Sequence, residues 1–206
     1  MSIENPEEHI TCTYQFKIQL KNTYDPIVWR RVLVPSDFYF EEFHRVIQVV
    51  FGWENSHLYF FSPTGYNSQP MIEPDYDKDE FYKLFNEESL EAETTLLSDI
   101  FISLKQKFTY LYDSGDDWKH LITLEKILTN NETEMLFLLK GEGACPPENC
   151  GGPWGYVRLK EILADKKHPE HKEMKRWLGL RLKEDWDASA FDLEAFQQSL
   201  RNAFSS

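Results

Sequence analysis

Cysteine is scarce in this 206-residue chain, with Cys12, Cys145 and Cys150 the whole complement. An odd, sparse set of thiols is not the framework of an oxidised secreted domain. No apolar run is long enough to cross a bilayer. The N-terminal Met1-Ser2-Ile3-Glu4-Asn5-Pro6-Glu7-Glu8 is acidic and polar, unlike a signal or transit peptide. The simplest expected location is the cytoplasm, with no membrane partner. Positive charge is also short. A formal net charge of -13 weighs against broad nucleic-acid binding, because phosphate contacts need a basic surface. Missing as well are a phosphate-cradling P-loop, a Gly-x-Gly-x-x-Gly after a strand, a His-Glu-x-x-His and a Gly-x-Ser-x-Gly elbow. Their absence removes the most recognisable NTPase, dinucleotide-binding, metalloprotease and α/β-hydrolase readings.

What is present is enough for a core: 41% of residues are hydrophobic and 15% aromatic. The length suits one α+β domain over residues 11–206 after an N-terminal tail of residues 1–10. Cys12, Tyr14, Phe16, Ile18 and Leu20 alternate with polar residues, which predicts a half-buried strand from Thr11 to Lys21. Turn residues Asn22 to Pro26 lead to a second strand, Ile27 to Val34, completing a hairpin. Phe40, Phe43, Ile47, Val50 and Phe51 recur at helical spacing, and Gly52 ends that helix. Further strands are predicted at His57 to Phe61, Phe108 to Tyr112, His120 to Leu128 and Met135 to Leu139. Helices are predicted at Thr95 to Lys107, with Leu104 among its inward residues, then at Tyr156 to Ala164, Pro169 to Leu178 and Leu193 to Phe204. Asp192 is the expected cap of the last. An acidic surface insertion is expected near residues 67–93. Hairpins and helices without regular βαβ units give a mainly antiparallel mixed sheet with helices packed on it, and a C-terminal helical segment from about residue 156.

Charge is unevenly spread. Glu73 to Asp99 is dominated by acids, whereas Arg158 to Lys183 carries Lys160, Lys166, Lys167, Lys172, Lys175, Arg176 and Arg181. That basic stretch reads either as a phosphate-facing surface or as a solvated helix face.

Two loops stand out. Gly141-Glu142-Gly143-Ala144-Cys145-Pro146-Pro147-Glu148-Asn149-Cys150-Gly151-Gly152-Pro153 fits neither helix nor strand. Its glycines admit unusual backbone conformations, while Pro146 and Pro147 fix φ and remove two amide donors. Upstream lies the acidic turn Asp113-Ser114-Gly115-Asp116-Asp117-Trp118-Lys119-His120. Loops held by rigid elements are where binding and chemistry concentrate.

Asp113, Asp116, Asp117 and His120 offer ligands for a hard divalent ion, or an acid and base. The same residues are ordinary turn formers whose carboxylates accept backbone amides. Cys145 and Cys150 with His168 and His171 offer four zinc ligands, against a pair of reduced structural thiols under a rigid turn. A nucleophilic cysteine would need a base within reach, and His120 or His57 is the candidate, though spacing places neither beside a thiol. His44 faces the apolar stripe of its helix and reads first as structural. In Trp29-Arg30-Arg31, alternation sets Trp29 and Arg31 on one face and Arg30 on the other.

Ile27-Val28-Trp29-Arg30-Arg31-Val32, Phe43-His44-Arg45-Val46-Ile47-Gln48, Gly52-Trp53 with His57-Leu58, Tyr110 through His120, and Gly141 through Tyr156 occur in the order found in one family. From about Tyr14 to Phe196 the chain resembles the Ri-plasmid open-reading-frame-three-like family. Its members are often labelled insertion-element passenger proteins or resolvases. Ser114 stands where that family usually has an aromatic, and Phe43 where it usually has leucine. The resemblance implies a compact α+β fold and an association with mobile DNA, but no settled activity. A serine recombinase needs a nucleophilic serine in an arginine-rich site and a DNA-binding appendage, and this acidic chain shows neither.

The expected function is a cytoplasmic binding or accessory module with a shared polar loop groove for a protein or small ligand. His57, Asp113, Asp116, Asp117, His120, Cys145, Glu148 and Cys150 are its candidate residues. The alternatives are a metal-dependent hydrolase, acting on a phosphoester, and a zinc-stabilised nucleic-acid adaptor. The sequence requires no cofactor, and a divalent metal is compatible with it.

Overall fold

The computed structural model describes residues 12–75, 89–129, 136–181 and 183–205. The expected tail 1–10, residues 76–88 of the acidic insertion and Met135 lie outside them. The described strands are β1 (Thr13–Leu20), β2 (Trp29–Pro35), β3 (Tyr59–Ser62), β4 (Ile72–Glu73), β5 (Leu90–Glu91), β6 (Lys107–Tyr112), β7 (Trp118–Leu128) and β8 (Phe137–Glu142). They form one eight-stranded sheet in the order β5-β4-β3-β6-β7-β1-β2-β8. Neighbouring strands run antiparallel except β4 and β5, which are parallel. The helices are α1 (Phe40–Phe51), α2 (Leu97–Ile100), α3 (Gly152–Ala164), α4 (His171–Trp177) and α5 (Leu193–Phe204). The fold is α+β, and among the described residues no helix is long and apolar enough to cross a membrane.

Alternation in β1 does what period-two patterning requires: Phe16, Ile18 and Leu20 are fully buried. α1 lays Phe40, Phe43, Ile47 and Val50 into the same core. There Phe16 meets Phe43 and Phe101 at 4.9 and 4.8 Å between ring centroids, and Phe40 meets Phe61 at 4.9 Å. Such offset and edge-on contacts add to the area term of aromatic burial. Gly52 ends α1 as expected. With φ at 77° it turns left-handed and donates its N–H to the Gln48 and Val49 carbonyls. α5 is capped by Asp192, which accepts from the Ala195 N–H at 3.0 Å. It fastens the β8 edge through Leu138 N–H on Gln197 Oε1 at 2.7 Å.

The helix expected from Thr95 to Lys107 is corrected to the single turn α2. Asp99 folds back to accept the Leu96 N–H, and then Gln106 accepts the Ile102 and Ser103 N–H groups and donates to the Ile100 carbonyl. The Asp99 bond caps the start of that turn, whereas the Gln106 bonds compete with helical ones and stop the helix. Leu104, expected inward, is 56% exposed. Conversely, α3 begins at Gly152 rather than Tyr156. Pro153 sits in its first turn, where a missing N–H costs nothing.

Arg30 is fully buried on the inward face of β2. Its Nε donates to the Val50 carbonyl at 2.7 Å, Nη1 to those of Trp29 and Glu142 at 2.9 Å, and Nη2 to that of Gly143 at 3.0 Å. Its guanidinium also lies 4.2 Å from the centroid of Phe191. No carboxylate takes part in this set of bonds. Arg30 ties the open end of α1 to the start of the thiol loop. On the other face, Arg31 pairs with Glu125 at 2.6 Å and Trp29 donates to Glu142 at 3.0 Å.

Candidate functional site

Three segments meet at one end of α1. The loop after α1 carries Trp53 to Leu58, the β6–β7 turn carries Asp113 to Asp117, and the thiol loop carries Cys145 to Gly152. Trp53 stacks on Tyr112 at 4.9 Å and donates its indole N–H to the Pro146 carbonyl at 2.9 Å. Asp116 accepts the Gly151 N–H at 3.2 Å. Gly152 packs so closely on the Asp116 backbone that an added Cβ would lie 2.5 Å from its carbonyl oxygen. The two loops expected to converge are therefore in direct contact.

Glu148 is the clasp between them. Its Oε1 accepts from the Tyr112 hydroxyl at 2.8 Å and from the Glu54 N–H at 3.0 Å. Burial, reinforced by Glu148, pushes the Tyr112 phenol up to about 12, so it stays protonated and donates. Glu148 Oε2 lies 3.6 Å from His57 Nε2, with Asp113 Oδ2 at 3.5 Å from the same nitrogen. That nitrogen also lies 3.0 Å from Asn149 Oδ1. With the amide in this orientation, Nε2 carries the proton and faces three oxygen acceptors from two loops.

His57 and Asp113 open onto a cavity of about 550 Å³ also lined by Glu41, His44, Ser114 and Glu93. Among the described residues no lysine or arginine lines it. Burial raises the Glu41 carboxyl above its usual range, with Arg45 opposing and Glu42 and Glu93 adding repulsion. Glu41, His44 and Gln48 recur at helical spacing and share one face of α1.

On that face lies a closed ring of hydrogen bonds. Gln48 Nε2 donates to the Tyr110 hydroxyl at 2.9 Å, and that hydroxyl meets His44 Nδ1 at 2.8 Å. His44 Nε2 meets Asn55 Oδ1 at 2.8 Å, and the Asn55 N–H returns to Gln48 Oε1 at 2.9 Å. The ring is consistent in one sense only: Tyr110 donates to Nδ1 and Nε2–H donates to Asn55. His44 is thus a neutral structural imidazole that also forms part of the cavity wall. Its ring stacks on Tyr59 at 3.5 Å.

Several sequence-level expectations need correction. His120 is fully buried among Phe51, Trp53 and Tyr110, and neither ring nitrogen makes a hydrogen bond among the described residues. It does not join the acidic turn. Asp113 Oδ1 accepts the Gly115 and Asp116 N–H groups at 2.9 and 3.3 Å, Asp116 reaches across to Gly151, and Asp117 pairs with Lys119 at 2.9 Å. The set Asp113, Asp116, Asp117 and His120 is therefore dispersed. His168 instead accepts the Glu170 N–H at 3.2 Å through Nδ1. Among the described residues no group of three or more His, Cys, Asp or Glu side chains is placed to hold a metal ion. The Cys145, Cys150, His168 and His171 set is thus not assembled either. Burial raises the Cys145 thiol strongly and Cys150 to about 12, so both stay protonated and are poor nucleophiles. Asn55, Tyr112 and Asn149 escaped the sequence reading, although Asn149 adjoins Glu148 and Tyr112 adjoins Asp113.

Burial lowers His44 from 6.5 to about 4, and His120 from 6.5 to about 3. The unfolded chain therefore takes up these protons near pH 6.5, before the folded chain does. The stability each neutral ring contributes is complete above that pH. It is lost as pH falls towards about 4 for His44 and about 3 for His120. Urea unfolding between pH 7 and 4.5 should show stability falling on acidification, with a slope approaching about 1.4 kcal/mol per pH unit for each histidine. A flat profile would contradict the buried neutral assignment.

The profile of plasmid pRiA4b ORF-3-like proteins matches residues 12–195. The uncharacterized protein y4hQ of Sinorhizobium fredii is 36% identical over 191 residues, spanning 89% of this chain and 90% of that protein. The crystal structure of MM3350 from Methanosarcina mazei Go1, a protein of unknown function, is similar at a TM-score of 0.74 and 31% identity. The match covers 90% of this chain and 97% of that one. Sequence profile, relative and solved fold agree over nearly the whole length, and the chain belongs to the plasmid pRiA4b ORF-3-like family.

Proposed function

We propose that the protein is a binding module whose junction groove holds a small organic cation, an amine or guanidinium. The single observation that carries this reading is the cavity wall: Glu41, Glu93 and Asp113 line it, and among the described residues no lysine or arginine does. Burial is the main cause that raises the Glu41 carboxyl, with Glu93 adding to it, and a bound cation favours its charged form. His57 and Ser114 add polar groups that orient a ligand, and a volume near 550 Å³ suits one of modest size. A metal-dependent hydrolase or a zinc-stabilised adaptor is less well supported, because neither ligand set is brought together.

Titration calorimetry with agmatine, which carries both a primary amine and a guanidinium, tests the reading. Saturable binding is expected with a Kd on the order of 100 µM. Glu93→Gln or Glu41→Gln should weaken it by roughly tenfold, while glutarate gives no heat. Binding of glutarate in place of agmatine would overturn the proposal.

A further inference from the structure

The basic stretch noticed in the sequence is not absorbed by the junction groove. Lys166, His171, Lys172, Lys175 and Arg176 line a separate cavity of about 500 Å³, and among the described residues no carboxylate lines it. In a chain of 35 acids and 22 lysines and arginines, this clustering of basic side chains is a property of the place, not of the composition. Helical spacing explains it. Lys172, Lys175 and Arg176 fall three and four residues apart and share one face of α4. His171 and Lys175 are themselves buried.

The way this charge is compensated points to a ligand. Asp185, at the margin, draws in Lys166 at 3.0 Å and Lys175 at 3.6 Å. One carboxylate thus already bridges two lysines of the wall. Among the described residues no carboxylate pairs with Lys172 or Arg176. Gly179, at the cavity edge, has nothing within 4 Å of where a Cβ would stand, so the approach is open.

We infer that this cavity is an anion site for the phosphate groups of a small phosphorylated ligand, with Lys172 and Arg176 as its principal contacts. A guanidinium grips phosphate oxygens through paired N–H donors, and an ammonium adds a point charge beside it. The cavity exceeds the needs of a single phosphate and accommodates a diphosphate. The site is independent of the cation groove, and either stands without the other.

Magnesium-free pyrophosphate, titrated into the full chain and followed by amide NMR shifts and calorimetry, is the test. Saturable shifts are expected at Lys172, Arg176 and Gly179, weakening as salt rises because the contacts lie near the surface. Lys172→Gln and Arg176→Gln, both at exposed positions, should each lower affinity by roughly tenfold. Asp185→Asn, which removes the internal competitor, should raise it several-fold. No saturable shift at millimolar pyrophosphate would overturn the inference, as would equal binding by the Lys172→Gln, Arg176→Gln double variant. Binding of a single-stranded oligonucleotide at these residues without any response to pyrophosphate would also overturn it, in favour of a nucleic-acid surface.

Discussion

Arg30→Met should destabilise the fold by about 3 kcal/mol or more, an effect on the order of 10 °C in Tm for a chain of this size. The reason lies in what is left behind. A buried arginine that faces carboxylates can sometimes be replaced together with its partners by apolar groups at little cost. Here the acceptors are the main-chain carbonyls of Trp29, Val50, Glu142 and Gly143, and no substitution removes them. Val50 lies in the last turn of α1, where a carbonyl has no helical partner, and Arg30 supplies one together with a positive charge at that end. Burial lowers the guanidinium only to about 10, so it stays charged at neutral pH. Arg30→Lys should recover little, because one ammonium cannot reach acceptors spread around the planar fork. Urea unfolding measures both variants, and a loss below about 1 kcal/mol for Arg30→Met would contradict this role.

Gly152→Ala should open the junction. The residue holds φ at 67°, a region that costs a side chain roughly 1–2 kcal/mol, and its new Cβ would stand 2.5 Å from the Asp116 carbonyl oxygen. Strain and collision together push the acidic turn away from the thiol loop. The expected result is a loss of stability near 2 kcal/mol or more and at least a tenfold loss of agmatine affinity. Gly179→Ala separates the two causes. Gly179 has nearly the same φ, at 68°, but open space around it. That variant should show the strain alone and leave agmatine binding unchanged. Equal agmatine affinity in Gly152→Ala and the parent would mean that contact between the loops does not shape the groove.

The regular elements were legible where one physical rule dominated. Phe16, Ile18 and Leu20 alternate because β1 buries one face, and Phe40 to Phe51 repeats at helical spacing because α1 does the same. The two loops were legible because glycine and proline fix backbone shape locally. His120 was misplaced although a signal existed: it shares strand parity with Trp118, Ile122 and Leu124, all buried. Pairing of Tyr110 with His120 and of Tyr112 with Trp118 then seals the imidazole in an aromatic box. Arg30 shares inward parity with Val32 and Val34, yet its acceptors Glu142 and Gly143 lie more than a hundred residues away. Glu93 reaches the cavity wall from the far end of the acidic insertion in the same non-local way. Such meetings are set by the order of strands in the sheet, which local pattern does not encode. The helix expected over 95–107 failed for a different reason, since Gln106 diverts the Ile102 and Ser103 N–H groups and the Ile100 carbonyl that a longer helix would have used.

The most direct test of the shared groove is an NMR titration of the isotope-labelled chain with agmatine, read residue by residue. If Glu148 and Asn149 couple the thiol loop to the groove that His57 and Asp113 line, the His57 imidazole, the Ser114 and Gly115 amides and the Asn149 and Gly151 amides should all shift with a single midpoint. Movement of one loop without the other, or separate midpoints for the acidic turn and the thiol loop, would contradict it.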